Sequence, residues 1–398
     1  VPVITRHPIT TDEPDEFFDF TERGLRGSTF RFDVVDVITE FTVGEIHPIR
    51  DTTPTLAHDT SRGVKRTLTL TLNAADTATF DEITHRINVF MITGDGREFP
   101  LGRYMSVSKS LIPTTAGDLS TVALTDEMFV IAQKISESFS AAVLPKSFTL
   151  DGVGRTNVYD LINDFLDRYT LFNPQAYVGG LTSSFTVGNT RDTMPRIERD
   201  IEFTNYVSSG SWQTGTEGVT VLGDLALTGD YFTPWMGNDA NFHMIRAFNP
   251  EDAVPRFDFD RQFNVIRDSI TRTNDLLNAP NRIIVVSNEA MGDNRTTPVV
   301  GRFDIPASAP HSIARRGFVI PDIIDTQVTS TSQANAMARN IGLNQRVVER
   351  VSLATPPDPR HDSYDVIRWA GELWLETAWS MPLVEGGQMT HTMQRIYA

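Results

Sequence analysis

The chain contains no cysteine. A disulfide framework, a thiolate zinc site and a cysteine nucleophile are therefore excluded together. Long apolar runs are also missing: stretches such as Ile283 to Val286 are far too short to cross a bilayer. Val1 opens a polar segment with neither a basic n-region nor an apolar h-region, which predicts no signal peptide and no membrane anchor. Positive charge is scarce. The 35 Lys and Arg stand against 51 Asp and Glu, a formal net charge of −16 with a pI near 4.9. Such a surface repels the phosphate backbone, so composition argues against a stable nucleic-acid binder, and solubility alone explains the acidity.

Catalytic signatures are absent as well. There is no P-loop, no G-x-G-x-x-G after a strand, no H-E-x-x-H and no G-x-S-x-G. The histidines (His7, His47, His58, His85, His243, His311, His361, His391) are scattered, with no two at ligand spacing on one helix. The expectation is therefore no catalytic residue, no cofactor and no metal. Acid pairs for glycoside hydrolysis are not readable this way, because 51 carboxylates guarantee chance pairs.

What is present is ordinary globular composition, 40% hydrophobic and 22% charged over 398 residues, enough for two or three domains. Residues 1–23 hold the acid-aromatic cluster Asp15, Glu16, Phe17 and Phe18 between prolines, and read as a docking arm. From Phe30 the pattern is β. Thr67-Leu-Thr-Leu-Thr-Leu72 alternates strictly, which puts Leu68, Leu70 and Leu72 on a core face and Thr67, Thr69 and Thr71 on the other. Ile87 to Thr93, the turn Gly94-Asp95-Gly96 and Glu98 to Val107 make a hairpin, and Leu119 to Leu124 one more strand. Residues 24–125 thus form a first β domain.

Residues 126–255 change character. Val158, Leu161, Ile162, Phe165, Leu166 and Tyr169 make a helical stripe that Asn173-Pro174 ends, and Val219 to Leu227 a weaker helix. Tyr231 to Met236 and Asn241 to Phe248 flank a turn, a second hairpin. Residues 256–398 return to β character. Asn281 to Ser287 reads as a buried strand and Thr297 to Ile305 as another. Ser330-Thr-Ser-Gln333 caps a helix stopped at Gly342. Three closing strands follow, Tyr364 to Trp369, Glu372 to Ser380 and Gln388 to Tyr397, turned at Ala370-Gly371 and Glu385-Gly-Gly387.

Three segments tempt. The basic cluster Arg62, Lys65 and Arg66 suits either a solvated turn or an acidic partner surface. The Trp235 to Phe242 loop has the aromatic and amides of a carbohydrate site, and equally those of a hairpin tip. Asn294-Arg-Thr296 matches a glycosylation sequon that chance supplies in this length.

The ordered set Asp59-Thr-Ser-Arg-Gly-Val-Lys-Arg-Thr-Leu-Thr-Leu-Thr-Leu72, Asp95-Gly-Arg-Glu-Phe-Pro-Leu-Gly-Arg-Tyr104, Pro280-Asn-Arg-Ile-Ile-Val-Val-Ser287, Ser312-Ile-Ala-Arg-Arg-Gly317, Pro357-Asp-Pro-Arg-His361 and Met393-Gln-Arg-Ile396 resembles the tail hub, or minor tail protein, of long-tailed actinobacteriophages. The likeness covers residues 25–110 and 210–398, and residues 126–210 depart from it. The resemblance implies a mainly β (α+β) chain with two tube-forming β-barrel-like domains and an inserted mixed α/β region. It implies a homotrimer at the virion tail tip that adapts a six-fold tube to three-fold symmetry, with no catalytic residue. Its partners would be itself, a distal tail or tail tube protein, a tape measure protein and other tail-tip proteins, with genomic DNA passing through unbound. On that reading Thr67, Thr69 and Thr71 are candidates for the lumen wall, which is expected to be acidic and small-polar. Asp15, Glu16, Phe17, Phe18, Arg62, Lys65 and Arg66 are candidates for assembly contacts. The alternatives are a glycan-binding distal tail protein using Trp212 and Trp235, and a tail-borne cell-wall hydrolase.

Overall fold

The structure, a computed structural model, describes residues 27–39, 41–49, 53–114, 118–140, 148–150, 153–169, 196–197, 206–207, 211–229, 231–248, 250, 253–260, 265–274, 278–287, 298–326, 331–344 and 349–395. The arm with Asp15, Glu16, Phe17 and Phe18, the Asn173-Pro174 helix stop and the Asn294 sequon lie outside the described residues. The first part runs β1 (Thr29–Asp36), β2 (Thr42–Ile46), β3 (Thr55–Asp59), β4 (Arg66–Asn73), α1 (Ala74–Thr79), β5 (His85–Ile92), β6 (Glu98–Ile112) and β7 (Leu119–Asp126). The middle holds α2 (Met128–Ile131), β8 (Phe139–Ser140), β9 (Phe148–Leu150), β10 (Val153–Asn157), α3 (Val158–Tyr169), β11 (Arg196–Ile197), β12 (Tyr206–Val207), β13 (Ser211–Trp212), α4 (Gly218–Thr228), β14 (Trp235–Met236) and β15 (Phe242–Met244). Then come β16 (Phe257–Asp258), β17 (Thr271–Asn274), β18 (Arg282–Ser287), β19 (Val299–Asp304), α5 (Ile313–Arg316), β20 (Pro321–Asp325), α6 (Thr331–Asn344), β21 (Glu349–Thr355), β22 (Val366–Trp369), β23 (Glu372–Pro382) and β24 (Met389–Arg395).

Strict alternation makes β4 a two-faced strand, and its neighbours bury the leucine face. Leu68, Leu70 and Leu72 pack with Leu56, Val122, Leu124, Trp379, Met381 and Met389 in one core. Each such leucine contributes about 1.5–3 kcal/mol by leaving water. The strands form one antiparallel path, β17-β21-β24-β23-β3-β4-β7-β6-β5-β1-β2, with β22 beside the start of β23 and β16 beside β22. The two β regions read from the sequence, 24–125 and 256–398, are therefore hydrogen-bonded into one sheet. The join is β3 on β23, where Leu56 faces Met381 and His58 faces Trp379. No closed barrel occurs among the described residues.

The middle region packs α3 on α4. Leu161, Ile162, Phe165 and Leu166 meet Val221, Leu222 and Leu225, as the helical spacing predicts. A separate sheet, β19-β18-β20, carries α6 on one face. Two expectations are corrected here. The strand at 282–287 is only half buried: Ile283, Val285 and Ser287 point inward and the alternate residues do not, because α6 covers a single face. Gly342 does not stop α6, which runs on to Asn344. A Cβ at Gly342 would sit 2.6 Å from the Phe303 ring, so this glycine lets the helix lie close to the sheet.

Candidate functional site: a hydroxyl-lined sheet face

Directly paired residues in a sheet share a face, so register shows what stands beside the β4 threonines. Thr67 opposes Ala57 and Thr125, Thr69 opposes Thr55 and Ala123, and Thr71 opposes Thr121. The row extends through β6, where Ser108 opposes Ala123 and Ser110 opposes Thr121. On the other side Ala57 opposes Ser380, which opposes Thr390, and Thr392 opposes Ser352, which opposes Thr271. Thr69 and Thr390 are exposed and most of the others half-buried, whereas Thr71 is buried. The result is a belt of hydroxyls and methyls across eight strands. Asp59 brings a carboxylate at its margin, and Arg350, two residues from Ser352, an exposed cation, whereas Arg103 and Lys65, at the same remove from Met105 and Thr67, are buried. The belt is more small-polar than acidic. Such a surface hydrogen-bonds water and, Arg350 at its margin apart, presents little counterion-releasing charge to a polyanion.

Behind the belt lies a polar clasp joining three parts of the chain. Arg66, on the buried face of β4, bonds Asp362 Oδ1 through Nη2 at 2.7 Å and Asn238 Oδ1 through Nη1 at 2.6 Å. The Asn238 amide in turn donates to the carbonyls of Pro359 and His361 at 3.0 and 2.9 Å. Trp235 Nε1 donates to Asp362 at 3.0 Å. Next to it, Lys65 Nζ donates to Thr233 O at 2.9 Å and Tyr364 Oη at 2.8 Å. Burial pushes the Lys65 ammonium down to about 7, against the pull of Asp126 and Asp59. Burial likewise pushes Asp126 up to about 7, opposed by Arg66. Tyr364 holds a left-handed φ of 61°, a strained position kept by its stack on Phe232 at 4.2 Å and its bond to Lys65.

The sequence-predicted site residues thus separate. Thr67, Thr69 and Thr71 share the belt. Arg62 is exposed beside Asp59 at 3.3 Å. Lys65 and Arg66 are corrected: at 1% and 0% exposure they have no surface to offer another subunit, and their donors are used within the chain. Trp235, 2% exposed, is a clasp residue with no open ring face for a sugar, and Trp212 Nε1 is tied to Asp224 at 2.9 Å. The belt residues Thr55, Ala57, Thr121, Thr125, Ser380 and Thr390 were missed. The alternation in Ser120-Thr-Val-Ala-Leu-Thr125 carries the same signal as β4, and nothing local shows that β7 and β4 pair.

One further cluster sits in the core. His361 Nδ1 and His391 Nδ1 lie 2.7 and 2.6 Å from the two oxygens of Glu376, all three side chains being buried. Burial raises Glu376 to about 7 and lowers His391 to about 3.

No protein-family model matches the chain, and no curated protein sequence matches it. Solved structures do. A tail protein from Neisseria meningitidis MC58 aligns over 92% of this chain and 97% of its own, at 9% identity and a TM-score of 0.52. The 43 kDa tail protein of prophage MuSo2 from Shewanella oneidensis gives 92% and 98%, 10% identity and 0.52. Prophage tail protein gp18 from Listeria monocytogenes EGD-e gives 92% and 95%, 9% identity and 0.53. At these identities the likeness is one of fold: the chain has the architecture of phage tail proteins.

Proposed function

We propose that the chain is a non-enzymatic structural subunit of a phage tail tip, a hub whose copies close into a three-fold ring continuing the tail tube. The carrying observation is the cation-poor hydroxyl belt on one continuous antiparallel sheet, in a chain with the fold of phage tail proteins. Eight strands, β17-β21-β24-β23-β3-β4-β7-β6, bear the belt. Among the described residues, β17 has an open outer edge, and so does β6 beyond its pairing with β5, at residues 107–112. Rotation about an axis along the strands preserves strand direction. With eight strands, each antiparallel to the next, β17 of one copy meets β6 of another antiparallel, the more stable join.

Size supports three copies. At about 4.8 Å per strand and a tilt of about 40°, about 24 strands enclose a ring about 48 Å across its backbones, leaving roughly 38 Å between short side chains. Two copies leave only about 22 Å on the same basis, little more than the width of a DNA duplex. In this reading Thr67, Thr69 and Thr71 belong to the wall. DNA passes without binding, and residues 1–23 are an assembly arm. The tube or distal tail protein, the tape measure protein and other tail-tip proteins contact the rims, where Ile38, Phe41 and Ile83 are exposed.

The absence of cysteine makes the test direct. Oxidising the double variant Ser110→Cys, Thr273→Cys, two positions on the belt face of the edges that would meet, should trap covalent trimers, while either single variant stays uncrosslinked. Light scattering that finds only a 44.4 kDa species, with no crosslinked product, would refute the ring.

A further inference from the structure

The buried group around the loop at 356–365 is unusually rich in charge, and its partners are unevenly shared. Asp358 has Arg360, Asp362 has Arg66 and Asp365 has Arg256, each at 2.7 to 2.9 Å. Glu376 is the exception. In place of a guanidinium its two oxygens face the imidazoles of His361 and His391. These three residues come from three segments, the loop, β23 and β24, and their donor atoms all lie within 4.8 Å of one another.

Thr355, beside His391, constrains the protons. The single Thr355 hydroxyl proton goes to Pro356 O at 2.8 Å, so Thr355 Oγ1 accepts from His391 Nε2, also at 2.8 Å. A neutral His391 protonated at Nε2 turns the Nδ1 lone pair toward Glu376 Oε1, 2.6 Å away. Two lone pairs at that separation need a positive charge between them, either a proton or a metal ion. An imidazole whose remote N–H is fixed by a hydroxyl or carbonyl is also how proteins orient a metal-ligating histidine.

We propose that His361, Glu376 and His391 bind one divalent transition-metal ion of the zinc class, stapling the 356–365 loop to β23 and β24. Two imidazoles and a carboxylate suit zinc, cobalt or nickel, whereas calcium and magnesium favour all-oxygen sets. The ion replaces the protons now held between the rings and Glu376. Metal–ligand bonds of about 2.0–2.2 Å in a tetrahedron set donors about 3.3–3.6 Å apart, widening the two His–Glu separations by about 0.6–1 Å. Three protein donors leave one position for a water. The staple holds the loop that also carries Asp362, Ser363 and Tyr364, so it acts on the clasp behind the hydroxyl belt. The inference does not depend on the ring, because every donor belongs to one chain.

The test uses the full chain, stripped with chelator and titrated with Co2+. One Co2+ per chain, the visible absorption of a low-coordinate imidazole site and a melting midpoint raised by several degrees with Zn2+ are expected. Glu376→Gln should weaken Co2+ binding at least tenfold. Thr355→Val, which keeps all three donors and removes only the acceptor for His391, should weaken it about tenfold while the chain stays folded. No visible band and no metal-dependent change in midpoint would mean a proton alone occupies the site. Co2+ binding unaffected by either variant would place the ion on surface histidines. Both results overturn the proposal.

Discussion

Replacing Arg66 with methionine keeps most of the side-chain volume and removes the guanidinium that ties β4 to the Trp235 hairpin and the 356–365 loop. Arg66 has 0% exposure, and its direct ion pair is with Asp362 at 2.7 Å, a carboxylate whose side chain keeps 19% exposure. Breaking a buried pair costs about 3–5 kcal/mol, mainly because the remaining charge is stranded. Asp362 retains Trp235 Nε1, the Ser363 amide and some solvent, so the lower end applies, about 3 kcal/mol. At roughly 2 °C per kcal/mol for a large domain, the thermal midpoint should fall by about 6 °C. Circular-dichroism melts and urea midpoints of Arg66→Met, Asp362→Asn and the double variant complete the cycle. The double variant should recover about 2 kcal/mol relative to the sum of the singles, because removing both partners strands neither. A single variant within 1 kcal/mol of the parent, or additive singles, would show that Arg66 is not a clasp and refute the reasoning.

Lys65 predicts a pH dependence. Its folded pKa near 7 lies below the unfolded value of 10.5, so between these pH values the unfolded chain binds the extra proton. Stability of the parent relative to Lys65→Met should therefore rise from pH 7 to pH 10.5 and flatten below 7; a flat or falling difference in urea midpoints would refute a neutral buried amine. Gly301→Ala puts a Cβ 2.1 Å from the Ala334 carbonyl carbon, so overpacking should cost about 1–3 kcal/mol and speed amide exchange in α6. Exchange unchanged in α6 would contradict the close approach. Thr69→Arg, at an exposed position, should change stability by less than about 0.5 kcal/mol yet give assembled rings a salt-sensitive DNA affinity that the parent lacks. Equal retention of DNA by parent and variant would remove Thr69 from the wall.

Much of the local architecture follows from short-range pattern. The Leu68, Leu70 and Leu72 face, the α3 stripe and the turn at Ala370-Gly371 each rest on a period or a backbone preference that neighbours settle among themselves. Both turn residues indeed take positive φ, 53° and 76°. Composition alone also excluded thiolate chemistry and a membrane-spanning helix, and no described helix is long and apolar enough to cross a membrane.

Other features were decided only by tertiary structure. Lys65 and Arg66 look like surface charges beside a turn. They are buried because Asp362, 296 residues beyond Arg66, and Tyr364, 299 beyond Lys65, arrive to meet them. Gly342 resembles a helix stop until Phe303 is seen against it. His361, Glu376 and His391 follow one another at intervals of 15 residues, a spacing that matches no ligand motif within one helix or turn, and the β23–β24 register with the 356–365 loop brings them within 4.8 Å. The same holds for the belt. Alternation placed threonines on one face of β4, whereas β3 meeting β23 joined that face to Ser380, Thr390 and Ser352. The physical reason is range. A residue's own neighbours fix its preferred backbone and the face it buries. Which distant strand completes the ladder is set by packing of the whole chain, where many weak pairings compete and only their sum selects one.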